Sequence, residues 1–259
     1  MSLEGKKVCI VSYAKYMEEK KFGKIIDSYD KVVRVNNGVN IPDKKHFGSK
    51  TDIFSANFFG GKNGVIIKTW NYLNKTNEKV TIFEVIQRLN IKDILINNKN
   101  SPSTEPIFRA KKSGLNVLVD PSINSRLPIT TGMQAIIQLL YLKPKELMII
   151  GFDFTMNLHK DYEEFYKMFR KAERVESRLN KTYDECPDIK HSTIFEKYLL
   201  KKLWQQYKLN VDPFLLKILK NFDITGLDDK VLEIANINKK FIDLYNNNVV
   251  NLIETGKVK

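Results

Sequence analysis

Three residues at the head of an apolar helix carry the first chemical suggestion in this chain. Thr130, Thr131 and Gly132 precede MQAIIQLLYL, a Lys-Pro break, and the apolar run ELMIIGFDF that holds Asp153 near its end. Two hydroxyls and a glycine at a helix start, next to strand ends, are how α/β proteins hold phosphorylated ligands, because free N–H groups and the positive end of the helix dipole face the anion. Taken alone, Thr131-Gly132 also reads as a plain helix cap, and Asp153 as a structural carboxylate. A proton acceptor is the second requirement of transfer chemistry, and the chain has only three histidines: His46, His159 and His191. An imidazole titrates near neutral pH and suits that role. His46 reads as a surface residue, and His191, at the start of the charged segment HSTIFEKYLLKKLWQQYKL, has a solvated helix-terminal position as its plainer reading.

Several chemistries are missing their parts. The turn after the first apolar run, VSYAKYMEEKKFG, has no glycine until Gly23, so the G-x-G-x-x-G dinucleotide fingerprint is lacking. No P-loop, G-x-S-x-G elbow or H-E-x-x-H helix occurs. Nor is there an Asp-x-Asp to hold a divalent ion, so any sugar-nucleotide chemistry is expected to need no metal and no cofactor. Cys9 and Cys186 are far apart and unpaired by motif, which argues against a disulfide scaffold or zinc site and fits a reducing compartment. The formal charge of +13 suggests an anionic partner, although the abundance of Lys, Asn and Ile also fits an AT-rich coding sequence. No apolar run approaches the ~20 residues of a membrane span, and the start MSLEGKK lacks a signal-peptide core. The expected location is cytoplasmic or peripheral to a membrane, with contact through a basic surface.

The elements that must position these residues alternate in kind. Apolar strand-like runs cover Lys7 to Val11, Lys31 to Val35, Thr51 to Asn57, Lys92 to Ile96, Asn116 to Asp120 and Glu146 to Phe154, with helical patterns between most of them. Near-continuous apolar strands alternating with helices predict an α/β fold: one Rossmann-like domain whose mainly parallel sheet has helices on both faces. Within this single domain, residues 1–154 read as the nucleotide-binding core, 155–228 as a helical lid or insertion, and 229–259 as a last helix and strand.

Two ordered stretches resemble a known family. VCIVSYAK, then FGKIIDSYDKVVRVNNGVN, then FGSKTDIFSANFF are similar to the large sialylmotif of eukaryotic sialyltransferases. ITTGMQAIIQLLYLKPKELMIIGFDF resembles their small motif and the equivalent stretch of bacterial lipooligosaccharide sialyltransferases. HKDY, His159 to Tyr162, falls where that family carries a short His/Tyr motif, and HSTIFE, His191 to Glu196, has the H-x-x-x-x-E spacing of its last motif.

The resemblance implies a metal-independent inverting glycosyltransferase that moves a sialic acid or related sugar from a CMP-sugar donor to a hydroxyl of a glycan or glycolipid acceptor. It assigns His191 as general base and Tyr162 with His159 as stabilisers of the leaving phosphate. Ser12, Asn36, Thr130, Thr131, Gly132 and Asp153 fall to donor binding, with Gly132 letting backbone approach the ligand. Arg34 reads instead as a structural or surface ion-pair residue. One departure is clear: where the family has Gly-Asn after the first strand, this chain has Ser12-Tyr13-Ala14. A different nucleotide sugar on the same scaffold, or a basic nucleic-acid-binding α/β protein, are the competing readings.

Overall fold

The computed structural model describes residues 2–40, 43–56, 66–67, 70–71, 73–97, 105–119, 129–154 and 193–222. Seven strands among them are β1 (Lys7–Val11), β2 (Lys31–Val35), β3 (Ile53–Ala56), β4 (Asp93–Ile96), β5 (Asn116–Val117), β6 (Glu146–Ile150) and β7 (Asn210–Val211). They form one sheet in the order β5-β4-β3-β2-β1-β6-β7, and every neighbouring pair is parallel. Strands β3 and β4 are buried at every residue, and β1 and β2 at all but their first. Burial on both faces is why their sequences are apolar without alternation.

Helices cover both faces, as expected for crossovers that keep one hand. On one face lie α1 (Gly23–Asp27), α2 (Lys44–Phe47), α3 (Ile82–Arg88) and α4 (Glu105–Lys112). Their apolar residues pack in two clusters, Ile26 and Phe47 with Cys9, Val11 and Val32, and Ile82, Ile86 and Ala110 with Phe54, Ile94 and Ile96. The other face takes α5 (Thr131–Tyr141), α6 (Thr193–Tyr207) and α7 (Pro213–Asn221). There Met133, Ile136, Ile137, Leu199, Leu203, Leu215 and Leu219 pack with Val8, Ile10, Val33, Val35 and Leu95. Fully burying each such side chain is worth roughly 1.5–3 kcal/mol, so this cluster dominates the fold's stability.

The chain starts in the middle of the sheet, winds outward to β5, and returns to add β6 and β7 on the other side of β1. Strand order therefore reverses between β1 and β6. In doubly wound sheets, the crevice outside the carboxyl ends at such a reversal is where ligands bind.

One expectation needs correction. Residues 193–222, read from sequence as part of a 155–228 insertion, instead supply α6, strand β7 paired to β6 (Met148 with Asn210, Ile149 with Val211), and α7. Leu199, Leu200, Leu203, Leu209, Leu215 and Leu219 of this unit are buried in the main core, so it belongs to the sheet's second face. A strand of two residues has no periodicity to read, which is why the sequence hides it. Residues 155–192, and the last helix and strand expected over 229–259, lie outside the described residues. Cys9 is buried, with a free thiol pushed up by that burial, and Cys186 lies outside the described residues.

Candidate active site

The turn that opens α5 is built by division of labour between its two threonines. Thr130 is the N-cap, in extended conformation, and its Oγ1 accepts the N–H of Met133 at 3.4 Å. Its hydroxyl donates to Glu196 Oε2 at 3.2 Å, and its backbone N–H donates to Glu196 Oε1. Both carboxylate oxygens of a glutamate that is 3 % exposed thus meet one residue 66 positions away. Glu196 lies in the first turn of α6, so this contact clamps the starts of α5 and α6 together. Thr131 is the residue left over: it is buried, and its Oγ1 has no hydrogen-bond partner among the described residues. Capping is the work of Thr130, and the buried hydroxyl left without a partner among the described residues is that of Thr131.

Gly132 has a nearer reason to be glycine than ligand approach. A Cβ there would stand 2.6 Å from Cε1 of Phe152, inside any tolerable contact. The ring of Phe152, just past β6, seats directly on the first turn of α5 and fixes how that helix meets the sheet. A bulky residue at 132 would therefore disturb the packing of Phe152 on the helix start, whatever it did to binding.

Strand ends supply the rest. Asn36 directly follows β2 with φ 48°, a left-handed conformation that asparagine adopts more readily than most residues. Its Oδ1 is buried without a partner among the described residues. Asn97, directly after β4 and fully buried, donates Nδ2–H to Ser55 Oγ at 2.7 Å while its Oδ1 has no partner among the described residues. No sequence signal pointed to Asn97; a polar residue ending an apolar strand was the available clue. Ser12 follows β1 and extends the β1–β6 pairing, its N–H donating to the Ile150 carbonyl at 2.9 Å. Its neighbour Tyr13 lies over Gly38 in the turn after β2, where an added Cβ would be 3.3 Å from the ring. Asp153, 5 % exposed, follows β6 and lies near enough to Tyr16 for its charge to help raise that phenol.

Ser12, Asn36, Thr130, Thr131, Gly132 and Asp153 thus all lie at the carboxyl edge of the sheet or at the helix start beside it. His159, Tyr162 and His191 lie outside the described residues. His191 stands two positions before Thr193, the first residue of α6. Arg34 is structural, as read from sequence: buried, it donates Nε–H to Lys50 O and Thr51 Oγ1 and Nη2–H to Phe47 O and Gly48 O, at 2.7–3.1 Å. Burial pulls its pKa down to about 10, which leaves it charged at neutral pH. Among the described residues, no helix is long and apolar enough to cross a membrane.

Comparison with curated proteins finds no match. Among solved structures, a mammalian sialyltransferase aligns at 15 % identity with a TM-score of 0.48, over 80 % of this chain and 69 % of that one. The profile of glycosyltransferase family 29 (sialyltransferase) matches residues 4–174, which takes in the Thr130–Phe154 stretch and His159 to Tyr162 but ends before His191. That match spans well over half of the 259 residues, so the chain belongs to glycosyltransferase family 29, the sialyltransferase family.

Proposed function

We propose that this glycosyltransferase transfers a sialic acid or related sugar from a CMP-sugar to a hydroxyl of a glycan or glycolipid, with inversion and without a metal ion. The observation that carries the reading is the clamp between Thr130 and Glu196. It joins the helix start suited to a phosphate with the helix that follows His191 by two positions.

In this mechanism the donor's phosphate sits at the start of α5, where free N–H groups, the helix dipole and Thr131 Oγ1 face it. The orphaned oxygens of Asn36 and Thr131 fit a ligand rich in hydroxyl and amino donors. His191 takes the proton from the acceptor hydroxyl as that oxygen attacks the anomeric carbon from the side opposite the leaving group. The bond from anomeric carbon to phosphate oxygen breaks, and CMP leaves with the electron pair. Tyr162 and His159 donate hydrogen bonds to the departing phosphate, the role a cation fills elsewhere. A basic protein of net charge +13 suits an anionic donor and contact with an anionic membrane surface carrying the acceptor.

The test is a nucleotide screen by thermal shift, followed by transfer assays. A cytidine nucleotide at 100 times its Kd should stabilise the protein by about 2.7 kcal/mol, with uridine, guanosine and adenosine nucleotides giving less. Transfer from a CMP-sugar should continue in EDTA. The Ser12-Tyr13-Ala14 turn favours one second reading, a different nucleotide sugar on the same scaffold, and protection by another nucleotide in the screen would select it. Equal protection by all nucleotides, or activity lost on chelation and restored by Mn²⁺, would defeat the mechanism.

A further inference from the structure

The turn after β1 is firmly held, and what holds it comes from the ends of β6 and β7. Asp212 directly follows β7 and is fully buried. Its Oδ1 accepts the N–H groups of Phe214 and Leu215 at 2.9 and 3.1 Å, capping α7. Its Oδ2 accepts the hydroxyl of Tyr16 at 2.5 Å and the N–H of Gly151 at 3.1 Å. The same Gly151 N–H also lies 3.0 Å from Tyr16 Oη, so hydroxyl, amide and carboxylate form a closed triangle. A cap alone needs one oxygen and no burial; four donors on a buried carboxylate indicate a second duty.

That duty concerns the segment from Ser12 to Glu19. Tyr16 belongs to the 3-10 turn Lys15–Glu19, and its ring stacks on Phe214 with centroids 4.1 Å apart. Ser12 N–H and Ala14 N–H donate to the carbonyls of Ile150 and Gly151, carrying the β1–β6 pairing past the strand ends. Gly151, at φ +78°, leaves the room this requires, since a Cβ there would lie 2.7 Å from the Ser12 carbonyl oxygen. Tyr16, Gly151 and Asp212 therefore tie together the carboxyl ends of β1, β6 and β7, the three strands beside the reversal of strand order.

We propose that Tyr16 and Asp212 are positioning residues for the donor site, holding the Ser12 turn in place at the carboxyl end of β1. The inference rests on the cytidine-donor reading above. Burial, and then the Asp212 carboxylate, push the Tyr16 phenol far up, so it remains a donor across physiological pH.

The experiment compares wild type with Tyr16→Phe, which keeps the ring stack and removes only the hydroxyl, and with Asp212→Asn. Each should raise the donor KM about tenfold, the scale of one hydrogen bond to a charged group, with kcat within about twofold of wild type. Tyr29→Phe is the control: its hydroxyl also donates to a carboxylate, Glu146 at 2.9 Å, but at the opposite edge of the sheet. It should leave the donor KM unchanged. Hydrogen exchange on wild type provides a reading that needs no variant, since saturating CMP should slow the amides of Ser12, Ala14, Gly151 and Phe214 together. Unchanged donor KM in both variants, an equal rise in Tyr29→Phe, or CMP protection that bypasses Ser12 and Ala14 would each overturn the proposal. Wild type that binds no cytidine nucleotide would overturn the donor reading and this inference with it, whereas wild type that binds while both variants bind equally well overturns the inference alone.

Discussion

The two edges of the sheet are finished in opposite ways. At the amino edge, five charged residues of the large motif are spent on the scaffold: Asp27, Asp30, Arg34, Lys50 and Asp52. Asp27 accepts the N–H groups of Ser49 and Lys50 at 2.9 Å, Asp30 accepts that of Lys7 at 2.8 Å, and Asp52 accepts that of Val32 at 2.8 Å. Lys50 Nζ donates to the carbonyls of Tyr29 and Asp30, and Arg34 binds four oxygens of the segment leading into β3. At the carboxyl edge of the same strands, Asn36 Oδ1, Asn97 Oδ1 and Thr131 Oγ1 are buried with no partner among the described residues. An unmade buried hydrogen bond costs roughly 1–3 kcal/mol, so this edge is stable in its own right only at a cost. The lesson is that one motif serves two ends: Asp27, Asp30 and Arg34 close the amino edge, while Asn36, two residues after Arg34, stands at the open one.

Mutations on the two edges should separate activity from stability. The largest expected effect is catalytic: His191→Ala should lower kcat by about 10²- to 10⁴-fold in steady-state kinetics while CMP still protects against thermal unfolding. The acid limb of the pH–rate profile should vanish with it. An unchanged kcat would move the base elsewhere, with Asp153 the next candidate.

Next in size is Arg34→Met at the amino edge. It strands four oxygens in a buried position, and chemical denaturation should show a loss of about 3 kcal/mol or more, since unsatisfied groups cost roughly 1–3 kcal/mol each. Nucleotide affinity, compared at a temperature where both proteins are folded, should not change. A specific loss of CMP affinity would erase the distinction between the edges.

Thr131→Val reverses that pattern. It keeps the shape and removes an unpartnered hydroxyl, so unfolding free energy should hold or rise slightly, while the Kd for cytidine nucleotides should increase about tenfold, the scale of one hydrogen bond to a charged group. If affinity is retained, the open oxygen at this position does not face the donor.

The smallest effect is a pH dependence at Asp27. Burial alone would raise its pKa, but the N–H groups of Lys50 and Ser49, the Ser49 hydroxyl and the charge of Arg34 together hold it below the ordinary 3.8. A carboxylate with a depressed folded pKa adds stability that is present above about pH 4 and is lost as pH falls through the folded value. Asp27→Asn should therefore be less stable than wild type at neutral pH, and the gap should narrow below pH 4 in acid titrations followed by circular dichroism. A gap that does not narrow would mean the contact does not depend on charge.

Much of this architecture is legible because it rests on local pattern. The first six strands fall inside or directly on the runs Lys7 to Val11, Lys31 to Val35, Thr51 to Asn57, Lys92 to Ile96, Asn116 to Asp120 and Glu146 to Phe154. A strand buried on both faces must be apolar throughout, and that leaves a mark in any sequence. A helix start at the threonine pair is legible for the same reason, since it needs a capping oxygen, while the structure alone assigns the cap to Thr130.

What the sequence by itself determined, then, is the alternation of strand and helix, the helix start at Thr130 to Gly132, and membership of a family whose motifs are short and ordered along the chain. Tertiary structure alone decided which groups meet. It set Glu196 on Thr130 across 66 residues, Phe152 on Gly132, and Asp212 on Tyr16 across 196 residues, and it drew Asn210 and Val211 into the sheet as β7. The physical reason is one of range. Backbone propensity and periodicity act over a few residues, whereas a buried carboxylate takes whatever donors the packed fold brings to it, and no local pattern says which those will be.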